Sequence, residues 1–258
     1  MRIGDVTVHA LPDGVMPMPP GVLYPDLPLS TWRNLPGTID QDDLLQVPFG
    51  GFLATDMQGH HVVFDLGGGP APQLVPGGDP PTGCELLPVH LERLGCAPES
   101  VTDVVFSHLH IDHVGWATTG GRPTFPRARH HIHAKDWKHF VVEGADTAVR
   151  DKVFPLRDTA AFWDGDSVTL FDWLRLVHAP GHTPGSSIAL IESHGDSLAL
   201  IGDLFHHPAA LAHPQWRCGF DWDADAAAAT RAECVHRLRE SRTPLVGPHF
   251  PDFQAVTP

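Results

Sequence analysis

His108-Leu109-His110-Ile111-Asp112-His113 is the stretch that most narrows what this chain can fold into. Four metal-capable side chains fall within six residues, directly behind the apolar run Val101-Thr102-Asp103-Val104-Val105-Phe106, which reads as a buried strand. Alternate strand residues share a face, so a strand running out into a loop here leaves His108 and His110 on one side. Asp112 and His113 come after the turn and can face a second position nearby. Imidazole nitrogen and carboxylate oxygen are ligands of zinc and similar cations, and hydrolytic sites leave one coordination position open for water.

A lone histidine at a strand end is more often a surface or satisfied core residue. The rest of the chain argues otherwise. His182 sits in Ala179-Pro180-Gly181-His182, Asp203 in Leu200-Ile201-Gly202-Asp203, and His249 in Val246-Gly247-Pro248-His249. Each follows an apolar segment of strand character, at or beside a Gly or Pro that ends it. Ligand-type residues at the ends of four separate strands are how a scaffold assembles a polar site along one sheet edge.

The patterning predicts strands near 2–10, 48–56, 60–66, 101–107, 167–171, 173–178, 186–192, 196–202 and 245–247. Helices are expected at 85–94, 134–142, 146–152 and, most clearly, 223–239, with Asp221 or Asp223 as N-cap of an alanine-rich segment. Residues 1–258 read as one domain without tandem repeats, and 11–47 as an N-terminal segment covering a pocket. The segment from Met16 to Trp32 and the stretch 205–222, with Trp216, Phe220 and Trp222, are expected to build an apolar wall or to pack into the core.

These motifs, in this order from about residue 48 to 250, resemble the metallo-β-lactamase superfamily. The resemblance implies an αββα sandwich and two divalent metal ions per chain. By position, His108, His110 and His182 would hold the first ion, Asp112, His113 and His249 the second, and Asp203 would bridge them. Asp65, in Phe64-Asp65-Leu66-Gly67, matches an early Asp-x-Gly element that braces the ligands. Zn2+ is the first choice, with iron, manganese and cobalt left open. Water shared by two cations is activated near neutral pH, and Asp112 would orient it and carry its proton to the leaving group.

Composition excludes other classes. With 17 basic against 31 acidic residues and a net charge of −14, a nucleic-acid partner is not expected. No apolar stretch is long enough for a membrane span, and the N-terminus alternates like a strand instead of resembling a signal peptide. The four cysteines form no Cys-x-x-Cys pair, and reduced thiols in the cytoplasm are the expectation. The partner is a small-molecule substrate, and assembly as a homodimer is left open. Gly67-Gly68-Gly69 lacks the Lys-Ser/Thr of a phosphate cradle and reads as a turn. His131-Ile132-His133 has no Asp-His after it and reads as strand decoration, and Ser186-Ser187 lacks a nucleophile elbow.

Within the superfamily, His110 in place of Glu argues against the flavo-diiron members, and a carboxylate at the bridging position argues against true β-lactamases. With nine residues after His249, the helical glutathione-binding region of the glyoxalase-II type is not expected. The pattern is closest to the lactonase, esterase and organophosphate-hydrolase branch. The expected activity is hydrolysis of a small, fairly apolar lactone or ester. Phosphotriesterase or thioesterase activity, or a non-catalytic metal-bound ligand sensor, are the alternatives. Lactonases of this branch place a Tyr three residues after the bridging Asp, where this chain has His206. His206 is therefore expected to be a catalytic donor that binds no metal, with Tyr24, the chain's one tyrosine, as the other candidate.

Overall fold

In the computed structural model, which describes residues 1–70 and 84–258, two sheets face each other. β1 (Arg2–Ile3), β2 (Val6–Met18), β3 (Leu45–Thr55), β4 (His61–Phe64) and β5 (Asp103–Val105) run side by side through the first. A small hairpin of β6 (Thr118–Thr119) and β7 (Arg122–Pro123) interrupts the chain before β8 (Arg129–His133) and β9 (Ala160–Trp163) complete that sheet. β10 (Ser167–Phe171), β11 (Leu174–His178), β12 (Ser187–Ser193), β13 (Asp196–Leu200) and β14 (Leu245–Val246) form the second.

Strand alternation feeds two cores. Phe52, Val62, Phe64 and Val105 join Leu176, Ala189 and Leu200 between the sheets. Their chain neighbours Leu53, Val63 and Val104 join Leu87, Leu91, Val149 and Val153 of the helices on the other face. Because β4 and β5 pair in parallel and are covered on both faces, short continuous apolar runs suffice there. The helix Ala224–Ser241 lies on the second sheet through Val235 and Leu238. The αββα layering is as expected.

Several local expectations change. β2 runs on to Met18, past a bulge between Pro12 and Gly14, so the first part of the 11–47 segment is sheet paired with β3. Short helices, Pro20–Leu23 and Leu29–Arg33, follow. β9 was not foreseen: Ala160-Ala161-Phe162-Trp163 is an edge strand with Phe162 exposed, which blurs alternation. The 134–142 helix divides into Ala134–Asp136 and a wide π-helical turn, Trp137–Val142. Asp223, not Asp221, caps the long helix, its carboxylate accepting from Ala226 N–H at 3.0 Å. The Gly67–Gly69 turn is indeed structural: Gly68 and Gly69 N–H groups donate to the buried Asp13 carboxylate at 2.9 and 3.2 Å.

Candidate metal centre

The ends of five strands, β4, β5, β11, β13 and β14, meet at one edge of the sandwich. β4 ends at Asp65, whose backbone is left-handed (φ 54°), a strained conformation for a non-glycine residue that aims its carboxylate across to the next loop. That carboxylate accepts from Ser107 N–H at 2.8 Å, Ser107 Oγ at 2.7 Å and His113 Nδ1 at 3.0 Å. Since Ser107 Oγ donates to Asp65, it accepts from His108 Nδ1, 3.0 Å away. His182 Nδ1 donates to Asp221 at 3.2 Å, and His249 Nδ1 to the Pro48 carbonyl at 2.7 Å. The outer nitrogen of each of these rings is thereby held, and Nε2 faces inward, where it can give its lone pair to a metal in place of a proton.

The inward nitrogens crowd together. His110 Nδ1 lies 3.0 Å from His108 Nε2 and 2.9 Å from His182 Nε2. Each contact needs either a proton between its two nitrogens or a cation shared among all three. Asp203 divides its two oxygens between two groups. Oδ2 lies 3.2 Å from His182 Nε2 and 3.7 Å from His108 Nε2, whereas Oδ1 lies 3.1 Å from both His113 Nε2 and His249 Nε2. Asp112 Oδ2 approaches His249 Nε2 at 3.5 Å and His113 Nε2 at 3.8 Å. His108, His110, His182 and Asp203 form one convergent donor group, and Asp112, His113 and His249 another. His113 Nε2 and Asp203 Oδ1 are buried without any hydrogen-bond partner, so the donor set fits a metal at each group.

The electrostatics point the same way. Burial disfavours charge on Asp203, yet the imidazoles, His113 and His249 foremost, hold its carboxyl well below the usual range. Burial and the neighbouring His113 push His108 well down, and burial with His182 does the same to His110. Against the lowering effect of burial, Asp203 and Asp221 raise His182 to about 9. These buried carboxylates attract positive charge, whether protons or metal ions.

The expected site residues are all brought together, His206 included. Its Nε2 lies 3.1 Å from Asp203 Oδ2, and its ring stacks on His249 with centroids 5.2 Å apart. His207 points elsewhere, edge-on to Trp32, its Nδ1 accepting from Ala209 N–H at 3.1 Å. Tyr24 is corrected: it is buried between Trp32 and Trp216, with centroids 5.3 and 5.8 Å away, and does not line the cavity over the centre. That cavity, ≈ 240 Å³, has Met16, Met18, Leu23, Val47 and Phe220 on its apolar side, with Asp112, His206 and His249 among its polar residues. Trp216, half-buried, packs against the core instead, and Trp222 is exposed.

Three residues at the site escaped the sequence reading in their actual roles. Cys218, buried, has Sγ 3.8 Å from His206 Nε2. Asp221 holds His182 and also pairs with Arg231 at 3.1 Å. Asp136, fully buried, has its carboxyl pushed up to about 6 by burial. No local pattern distinguishes Asp136 from an ordinary acidic residue early in a helix.

The family model described as the metallo-beta-lactamase superfamily matches residues 58–237. An N-acyl homoserine lactonase from a Bacillus species is 26% identical over 111 residues, which span 43% of this chain and 41% of that relative, so well under half of the relative is matched. Among solved structures, AidC, a dizinc quorum-quenching lactonase in complex with a product, superposes with a TM-score of 0.83 at 20% identity, covering 97% of this chain and 90% of AidC. The hydrolase AbOPH, of the beta-lactamase superfamily, gives 0.84 at 22% identity, covering 100% of this chain and 91% of AbOPH.

Proposed function

The chain belongs to the metallo-β-lactamase superfamily, and from that premise we propose that it is a dinuclear metal-dependent hydrolase acting on a small, fairly apolar lactone or ester. The observation that carries this reading is Asp203, whose two oxygens each face a different set of imidazoles. His108, His110 and His182 would hold one ion and Asp112, His113 and His249 the other, with Asp203 shared. Imidazoles mixed with carboxylates suit zinc. Bound there, divalent ions would supply Lewis acidity and a water activated at neutral pH.

The chain's own residues do the rest. His206 Nε2 lies 3.1 Å from Asp203 Oδ2, and His206 lines the cavity, where its ring would serve as a donor to a substrate oxygen. Asp112, also lining the cavity, accepts the proton of the attacking water and returns it to the leaving oxygen. Met16, Met18, Leu23, Val47 and Phe220 take the acyl or other apolar group. Among the described residues, neither Lys nor Arg lines the cavity, which favours a neutral substrate over an anionic one. The N-acyl homoserine lactonase relative supports a lactone. A phosphotriester is neutral as well, and it is the second reading on the same site.

The test is one preparation assayed with N-hexanoyl homoserine lactone, a γ-lactone, p-nitrophenyl acetate and paraoxon, with and without chelator. Chelator-sensitive turnover fastest on a lactone or ester is the expected result. Paraoxon as the fastest substrate would transfer the assignment to phosphotriesters. No turnover by protein carrying two metals per chain would point to a ligand sensor.

A further inference from the structure

The loops carrying the first histidine group come from different sheets: His108 and His110 follow β5, and His182 follows β11. One side chain spans them. Asp136 Oδ2 accepts from Leu109 N–H and from Thr183 Oγ, both at 3.0 Å, and its Oδ1 accepts from Gly185 N–H at 2.6 Å. Leu109 lies between His108 and His110, and Thr183 adjoins His182. The fit is close enough that a Cβ on Gly185 would lie 2.7 Å from both the Asp136 amide nitrogen and Oδ1. Thr183 is held in turn by Ser186 Oγ, which accepts from Thr183 N–H at 2.8 Å.

Asp136 is 1% exposed, and among the described residues no Lys or Arg pairs with it. A buried carboxylate without a cation beside it is costly. What compensates is a set of N–H and O–H donors from two separate loops converging on one charged acceptor. The other donor group is secured differently: His113 by Asp65, and His249 by the Pro48 carbonyl.

We infer that Asp136 is a positioning residue for the first metal: its carboxylate clamps the Leu109 and Thr183–Gly185 segments so that His108, His110 and His182 keep their spacing. The inference rests on the reading of those histidines as metal ligands. It places the clamp on one metal and not on the other.

Asp136→Asn is nearly isosteric but cannot accept at both terminal atoms. Its amide nitrogen must confront either Gly185 N–H or Leu109 N–H. Thr183→Val removes one donor with little change of shape, and Thr183→Ser restores it. Apoprotein of each variant is titrated with Co2+, following visible absorption and metal stoichiometry, with His110→Ala and His113→Ala marking loss of the first and second site. Wild type should take up two ions. In Asp136→Asn one ion should bind at least ~10-fold more weakly, the scale on which partners of metal ligands act. The residual spectrum should match His110→Ala, and kcat should fall more than KM changes. Thr183→Val should shift in the same direction by less, and Thr183→Ser should return towards wild type.

Two ions bound by Asp136→Asn with wild-type affinity would overturn the clamp and leave the dinuclear reading intact. Equal weakening of both ions would also overturn it, by showing a general structural role. If Asp136→Asn does not fold, Thr183→Val decides by the same two criteria. No uptake by wild type would overturn the metal reading and the clamp together.

Discussion

The chain carries His-x-His twice, and the two copies end in opposite environments. His108 and His110 leave a strand and enter a loop, whereas His131 and His133 lie inside β8. In the second copy, His131 Nε2 pairs with Asp103 Oδ1 at 2.7 Å, one ring to one carboxylate. His133 stacks on His178 with centroids 4.2 Å apart and meets Trp163 edge-on, and it joins no group of convergent donors among the described residues. Around the first copy, Asp203 alone faces His108, His113, His182, His206 and His249. A balanced pair satisfies itself and becomes core. Too many lone pairs converging on too few protons leave a place for a cation.

The sharpest way to break this contrast is to neutralise the two carboxylates in parallel. Asp203→Asn should lose the second metal and lower kcat by at least ~100-fold, the scale of water activation by metal. Asp103→Asn should keep metal content and kcat and lose only stability, by about 1–3 kcal/mol for a buried pair left half-satisfied. Elemental analysis, steady-state kinetics and denaturant titration separate the two. Wild-type turnover in Asp203→Asn would end the bridging assignment.

His206 extends the contrast to a residue beside the donor groups. Replacement by Ala should leave metal content unchanged and lower kcat by roughly 10- to 1,000-fold, as for a lost donor or proton-transfer group. His207→Ala, directed at Trp32, is the matched control and should cost stability alone. Metal loss in His206→Ala would reassign it as a ligand, which its place in a convergent group with Asp203 and His249 makes a real outcome.

Removing metal should lower Tm, because the buried donors lose their shared partner; calorimetry before and after chelation reads this directly. An unchanged Tm would mean that the centre is satisfied without metal.

The smallest effect is in pH dependence. Burial lowers His130, His133 and His207 from 6.5 to about 4. The unfolded chain takes up these protons below pH 6.5, and the native state refuses them until about 4. Stability from these rings is therefore complete above 6.5 and declines as pH falls towards 4. Denaturant midpoints of chelator-treated protein across that range should fall, and His130→Gln should flatten the slope. A flat profile in wild type would show that these rings titrate normally.

What was legible in the sequence was whatever is local. The motif 108–113 needs only a strand end, and His182, Asp203 and His249 stand beside the Gly and Pro residues that end their strands. The Asp223 cap is two residues from the Asp221 it was weighed against, and only the site distinguishes them, because His182 takes Asp221. Asp136 was invisible because two of its three partners are main-chain N–H groups, 27 and 49 residues away, which leave no mark in a sequence, and the third, the Thr183 hydroxyl, is 47 residues away.

By itself, then, the sequence determined which strands end in metal-capable side chains and that they recur in one order, since side-chain type and strand period are properties of the chain. Tertiary structure alone decided which of the 19 histidines face a shared carboxylate and which are packed as core. An imidazole is donor, acceptor, ligand or stacking surface according to what stands within about 3 Å of its two nitrogens, and that is set by how the sheets and loops come together.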